Sequence, residues 1–472
     1  MKKYIIILLF ISGLSSCISN FDGWNEDEKN PSSVPASTLF SNAERNLVRT
    51  MKMQNVNVNV FNFFAQYWTA TTYPDEANYD LGVRDVPGGF WNRMYRDVLN
   101  DLKDSKRILE DSKSGTAAPL LPALNNRIAI TSILEVYSYH VLVDVFGDIP
   151  YTEALNIDNP TPVYDDDAQV YASLFTKLDE AINMLTVGEE SFGGADFIYE
   201  GDVANWKKFA NSLKLRMALR VKDGTKISEA VASGVFTSND DNAAFTFTAS
   251  DPYANPLWEN LVSSGRHDLV VADTFVDIIT PLNDPRASVY MGNNLSPYFG
   301  GPYGENNAYG GFTHLGEIFH QPDFEGVILD YAEVEFLLAE AAARNLGSVS
   351  NAETHYNNAI TASINYWNSS ADAASYIAQA TVAYDSANWE KSIGIQKWIA
   401  LYSRGFEGWS SFRVFGYPQL TAPATAVADV NGEVPSRYVY PADESQRNGD
   451  NYSAASTAIG GDDLTTKVFW NN

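Results

Sequence analysis

Between Phe209 and Val221 the chain reads FANSLKLRMALRV. Apolar residues fall at 209, 213, 217 and 221, each four apart, with a second row at 215 and 219. Lys214, Arg216, Arg220 and Lys222 sit between them. That spacing predicts a helix with one buried stripe. The same period runs from Arg127 to Phe146 and stops at Gly147, a residue suited to ending a helix. It returns over Ala168 to Leu185, Val327 to Asn345, Ala352 to Trp367 and Trp389 to Tyr402. Alternation of the strand type is scarce, and Phe245-Thr-Phe-Thr is a short candidate at best. The expected fold class is therefore mainly α.

Two neighbouring helices carry a finer pattern. Val327 to Asn345 is rich in alanine, Gly347 marks a turn, and Ala352-x3-Tyr356-x2-Ala359 follows. Small, aromatic, small at spacings of four and three resembles the second helix of a tetratricopeptide repeat. Ordinary packing of Ala-rich helices is the plainer reading of the same residues. Residues 223–326 break the helical pattern with Gly, Pro, Asn and Asp throughout. Within them and just beyond, 292–322 holds seven glycines, three prolines and six aromatics: Tyr298, Phe299, Tyr303, Tyr309, Phe312 and Phe319. A loop longer than about 12–15 residues is usually functional or disordered, and disorder usually lacks aromatics. This stretch is read as a functional loop.

The N-terminus adds a location. Lys2 and Lys3 precede an apolar run from Tyr4 to Ile11, and small residues follow, as in a secretory signal peptide over 1–16. The run is too short to span a bilayer. The single cysteine of the chain is Cys17, and Leu14-Ser15-Ser16-Cys17 resembles the lipobox of bacterial lipoproteins, whose thiol is acylated. The bland alternative is a cleaved signal peptide with an incidental thiol. Residues 17–36 then read as the lipidated cysteine and an acidic, solvated tether holding Asp22, Glu26, Asp27 and Glu28. The remainder, 37–472, reads as one domain with an irregular insert at about 223–326.

A formal charge of −27 argues against nucleic acid and anionic lipid as partners. No G-x-S-x-G elbow, P-loop or H-E-x-x-H helix occurs, so no enzyme, cofactor or metal is expected. His314-x2-Glu317-x2-His320 is the one near-miss for a metal. Its plainer reading is two polar loop histidines.

Five separated stretches together resemble one family: FGDIPYTEA at 146–154, the helix at 209–221, DYAEVEFLLAEAAARN at 330–345, IGIQKWIALYSRGFEGWSSFRVFGYPQL at 393–420 and RYVYPADESQRN at 437–448. They are similar to the SusD/RagB family of nutrient-binding outer-membrane lipoproteins, in its SusD-like branch. The resemblance implies four tetratricopeptide-like helix pairs with an irregular region packed on them as the ligand face. It implies a protein on the outside of the outer membrane that binds oligosaccharides and passes them to a SusC-like, TonB-dependent β-barrel. A peptide ligand, or less readily a surface glycosidase, are the alternatives.

The resemblance names no ligand residues, so candidates come from the residues themselves. A pyranose offers a C–H face and a rim of hydroxyls, which Tyr and Trp rings with nearby amides can meet. Phe61 to Tyr95 supplies Trp68, Tyr73 and Tyr79; the 292–322 loop supplies Tyr298, Tyr303 and Tyr309. Trp68 follows Phe61 and Phe64 at helical spacing, which fits a core role equally well. Tyr73 and Tyr79 flank the turn at Pro74-Asp75. Aromatics between 393 and 420 are read as scaffold packing, with Arg404 and Arg413 pairing acids there.

Overall fold

The computed structural model describes residues 34–368 and 370–471. The signal peptide, Cys17 and most of the tether lie outside these residues. The longer helices are α1 (Ala36–Lys52), α2 (Asn100–Ser112), α3 (Leu121–Phe146), α4 (Asp167–Met184), α5 (Val203–Arg220), α6 (Gly224–Ser233), α7 (Tyr331–Ala343), α8 (Ala352–Trp367), α9 (Trp389–Ala400) and α10 (Gly405–Phe415). Aspartates set several starts. Asp166, Asp202, Asp223 and Asp330 each accept a first-turn backbone N–H through the side chain, which satisfies groups a helix cannot bond internally. At the other end of α3, Gly147 turns the chain at φ +81°.

Successive helices pack as pairs, α3 with α4, α5 with α6, α7 with α8 and α9 with α10. This is the tetratricopeptide-like scaffold. Between α7 and α8 the small residues Ala339 and Ala359 lie buried in a second core with Phe336, Tyr356 and Ile360, so the helical period was doing the work of close approach. Segment Ala118–Phe146 is long and apolar enough to cross a membrane, but its apolar window is wholly buried inside the fold. It is the central core helix.

Two expectations change. The segment from Val327 does not start as helix: Gly326–Leu329 forms β4, paired with β2 (Ala243–Phe245), and Asp330 then caps α7. Residues 223–326 are less irregular than read, because they hold α6, a helix at Asp273–Ile279 and β3 (Leu269–Val271). β3 pairs antiparallel with β1 (Trp68–Ala70), matching Ala70 to Leu269.

The scaffold also buries a charge network. Arg216 lies 2.8 Å from Glu333 and 2.9 Å from Glu407, Arg220 lies 3.4 Å from Asp144, and Arg404 pairs Asp330 and Glu333. Burial alone would raise Glu333, yet Arg216 and Arg404 hold it down to about 2. Arg413 departs from the expected acid pairing. It donates to the backbone carbonyls of Asp144 and Ser436 and lies 3.6 Å over the Trp409 ring.

Candidate functional site

The short β1–β3 ladder has a large local effect. Beyond Ala70 the pairing continues as Thr71 N–H donates to Asp268 O at 2.8 Å. Residues 71–73 are thereby laid against 266–269. The third wall comes from the turn after α1, closed by Asn55 N–H donating to Asn59 O at 2.8 Å. Gly89 lets that turn seat itself: a Cβ there would meet Asn57 O at 1.8 Å. These three segments and Arg84 enclose an open cavity of about 380 Å³.

One side of the cavity is aromatic and cationic. Tyr73 sits at φ +57°, a backbone region that costs a non-glycine residue energy, and 42% of it stays exposed. The guanidinium carbons of Arg84 and Arg266 lie 4.8 and 5.2 Å from its ring centroid, a cation–π arrangement. Neither cation is free. Arg84 is 2.9 Å from Asp75 and 2.5 Å from Glu76, and Arg266 is 2.5 Å from Asp268. The hydrogen bond to Asp268 raises Arg266 above its ordinary value. Burial pushes Glu76 up, against the pull of Arg84.

Carboxamide residues also line the cavity: Gln54, Asn55, Asn57 and Asn260. Asn260 Nδ2 donates to Gln54 O at 3.2 Å, and Asn57 Nδ2 donates to Asn55 Oδ1 at 3.2 Å. Gln54 differs from the others. It is 4% exposed, and neither Nε2 nor Oε1 has a hydrogen-bond partner. Sequence reasoning missed these amides. The signal was present in Gln54-Asn-Val-Asn-Val-Asn-Val60, where amides alternate with valines in the period of a half-buried strand.

The structure divides the six aromatic candidates. Tyr73 lines the cavity. Tyr309 does not line it; its ring is stacked between His267 at 4.3 Å and His314 at 3.8 Å, with His267 next in sequence to Arg266. Tyr298 is half-buried against the core and does not line the cavity. Trp68, Tyr79 and Tyr303 are corrections. Trp68 is fully buried on β1, not on a helix, and its Nε1 donates to Tyr402 Oη at 2.8 Å. Tyr79 is fully buried, edge-on to Phe64, and burial pushes its hydroxyl up to about 12. Tyr303 is 9% exposed and donates to Phe63 O at 2.7 Å. Their ring faces are spent on packing.

Among the described residues, the acids Asp148, Asp166 and Asp167 bring carboxylate oxygens within 4.8 Å of one another. Burial pushes Asp148 to about 7 and Asp167 to about 6, so protonation relieves the crowding. A wider cavity of about 580 Å³ opens at α8 and α9 beside Tyr356, Lys391 and Tyr417. There the Gln396 amide is already bonded to Arg286 and Tyr376. The Tyr73 cavity, with an unsatisfied amide and a strained aromatic, is the better candidate.

Comparison with known proteins agrees with this fold. A family profile described as "Starch-binding associating with outer membrane", of SusD-like type, matches residues 28–441. A solved structure of a chitin-binding protein shares 25% identity over 92% of this chain and 99% of its own, with a TM-score of 0.78. A chitin-binding SusD homologue from Flavobacterium johnsoniae shares 25% identity over 92% of this chain and 98% of its own, at 0.77. A SusD homologue from Bacteroides thetaiotaomicron, at 22% identity, covers 93% of this chain and 99% of its own, at 0.78. No curated protein sequence matches the chain.

Proposed function

The chain belongs to the SusD-like family of starch-binding proteins that associate with the outer membrane, and from that premise we propose that it is a surface receptor for a glycan. The glycan would sit in the Tyr73 cavity and be handed to a SusC-like, TonB-dependent β-barrel transporter. Acylation of Cys17 would hold the protein on the outer membrane, facing the exterior, since dual or multiple acyl chains give stable anchoring. The observation that carries the reading is the cavity itself: one exposed aromatic ring flanked by two ion-paired guanidiniums, in a cavity also lined by amide residues. Rings meet the C–H face of a sugar, and amides meet its hydroxyls. The chitin-binding relatives at 25% identity support a glycan over other small ligands.

The reading is of binding without catalysis. A glycosidase needs two carboxyl groups about 5–9.5 Å apart, one of them a free acid. Here Asp75 and Asp268 are committed to Arg84 and Arg266. Because cargo must be released, affinity is expected between about micromolar and millimolar, or about −4 to −8 kcal/mol. Calorimetric titration of the full chain against oligosaccharides and mixed peptides tests this, with chromatography for products. Heat with a glycan and no product supports the reading. Heat with peptides alone, or a shortened glycan, overturns it.

A further inference from the structure

A second open cavity, of about 260 Å³, adjoins the turn that carries Arg84. Gly82 and Asp85 line it from that turn, and Ser445 and Tyr452 line it from the C-terminal part of the chain. Arg84 lines the Tyr73 cavity, and its sequence neighbour Asp85 lines this one. Consecutive Cα atoms are only about 3.8 Å apart, so the turn at 81–85 is a wall shared by the two cavities. Its crest is open: Gly82 is exposed, and Val83 is 61% exposed.

The two cavities differ in what their carboxylates do. In the first, Asp75, Glu76 and Asp268 are committed to Arg84 and Arg266. In the second, Asp85 is partly exposed, and its Oδ1 accepts the N–H groups of Gly88 and Ala442 at 3.2 and 3.3 Å. Its Oδ2 bonds nothing among the described residues. Ser445 is exposed and donates to Ala442 O at 3.4 Å, which leaves its oxygen free to accept. Tyr452 is partly exposed, and its hydroxyl donates to Asp462 Oδ2 at 3.1 Å. Among the described residues its ring meets only the Tyr440 ring, perpendicular at 6.0 Å and 77°, so no ring is stacked on it. An open ring beside a carboxylate oxygen and a hydroxyl can meet the C–H face of a pyranose and accept its hydroxyl protons.

We propose that this second cavity is a further glycan subsite, and that one polysaccharide strand crosses the Gly82-Val83 crest to fill both cavities at once. The inference rests on the glycan reading above and adds a length requirement to it. Once a strand occupies the Tyr73 cavity, its contact with Tyr452 and Asp85 is intramolecular, at an effective concentration of about millimolar for a short span. Affinity therefore rises with chain length past the point where a single cavity would level off. Val83 gives the strand an apolar surface to pass over.

The test is calorimetric titration of the full chain with maltotriose and maltoheptaose, and with the trimer and hexamer of N-acetylchitooligosaccharide. The extra registers of a longer sugar alone tighten binding by about fivefold at most, whereas joint occupancy adds to that. In the wild type the longer sugar of the recognised pair binds at least tenfold tighter than its trimer, or binds where the trimer is silent. Gly82→Leu obstructs the second cavity, and a Cβ at 82 meets only Asp80 Oδ1 at 3.7 Å, so the backbone has room for it. Tyr452→Ala removes the open ring. Each variant leaves trimer affinity within twofold and brings the length gain below tenfold. A wild-type gain below tenfold overturns the second subsite while leaving a glycan receptor standing. A larger gain that survives both variants overturns the assignment to this cavity. Silence with every sugar sinks the glycan reading itself. The wild-type length comparison and Gly82→Leu decide the question even if Tyr452→Ala fails to fold.

Discussion

The scaffold and the cavity both use arginine, and they use it oppositely. Arg216 is fully buried between Glu333 and Glu407, with Arg220 and Arg404 close by. Their partners are the network's own carboxylates and the Ile328 carbonyl, so the network joins α5, α7 and α10 in the interior. In the cavity, Arg84 and Arg266 are also ion-paired, but they flank an exposed tyrosine. Buried charge that is completely matched builds structure. A cavity that leaves an aromatic ring and amides open to solvent is shaped for something that arrives later.

That contrast can be broken most forcefully in the scaffold. Arg216→Met leaves Glu333 and Glu407 buried beside fewer cations. A loss of about 3–5 kcal/mol in unfolding free energy is expected from a denaturant melt, as for other broken buried pairs. Survival of full stability would mean the network is ornamental. Trp68→Ala is expected to cost a similar amount, about 3–5 kcal/mol, because it hollows a filled core. Were Trp68 a ligand residue instead, binding would fall and the melt would hold.

Tyr73→Ala tests the other side. Stability should change by no more than about 0.5 kcal/mol, as for surface positions, while affinity for the cognate glycan should fall about tenfold, or about 1.4 kcal/mol. A change in the opposite order would make Tyr73 a structural residue.

A further effect separates the two regions by pH. Burial raises Asp148 to about 7 in the folded protein, above its unfolded value near 3.9. Between those values the folded chain holds a proton that the unfolded chain releases, so this group makes stability fall as pH rises from about 4 to 7. Asp148→Asn should flatten that slope in melts at pH 4.5 and 7.5, and glycan affinity at a fixed pH should not move. An unchanged slope would show that Asp148 ionises normally.

These regions also differ in how far they could be read from the chain. Helices declared themselves through apolar spacing, as at 209, 213, 217 and 221. The family resemblance extended that to the helix pairs. The exposure of individual aromatics was not legible. Trp68 and Tyr73 are five residues apart and chemically alike, yet one is fully buried and the other 42% exposed. What separates them is pairing with 269–271, some two hundred residues away, and no local pattern reports such a partner. Gln54 was hidden for a related reason. Its amide has meaning only because nothing nearby bonds it, which is a property of the assembled fold.

The β1–β3 ladder is three residues long, and it closes a loop of about two hundred residues. Closing a loop that size carries an entropic cost that rises with the logarithm of its length, and contacts this distant in sequence form slowly. Three ladder rungs cannot meet that cost alone; the helix pairs on either side must already be holding the ends together. The cavity is therefore an indicator of completed folding. A chain still unfolded has every residue of the site and no site.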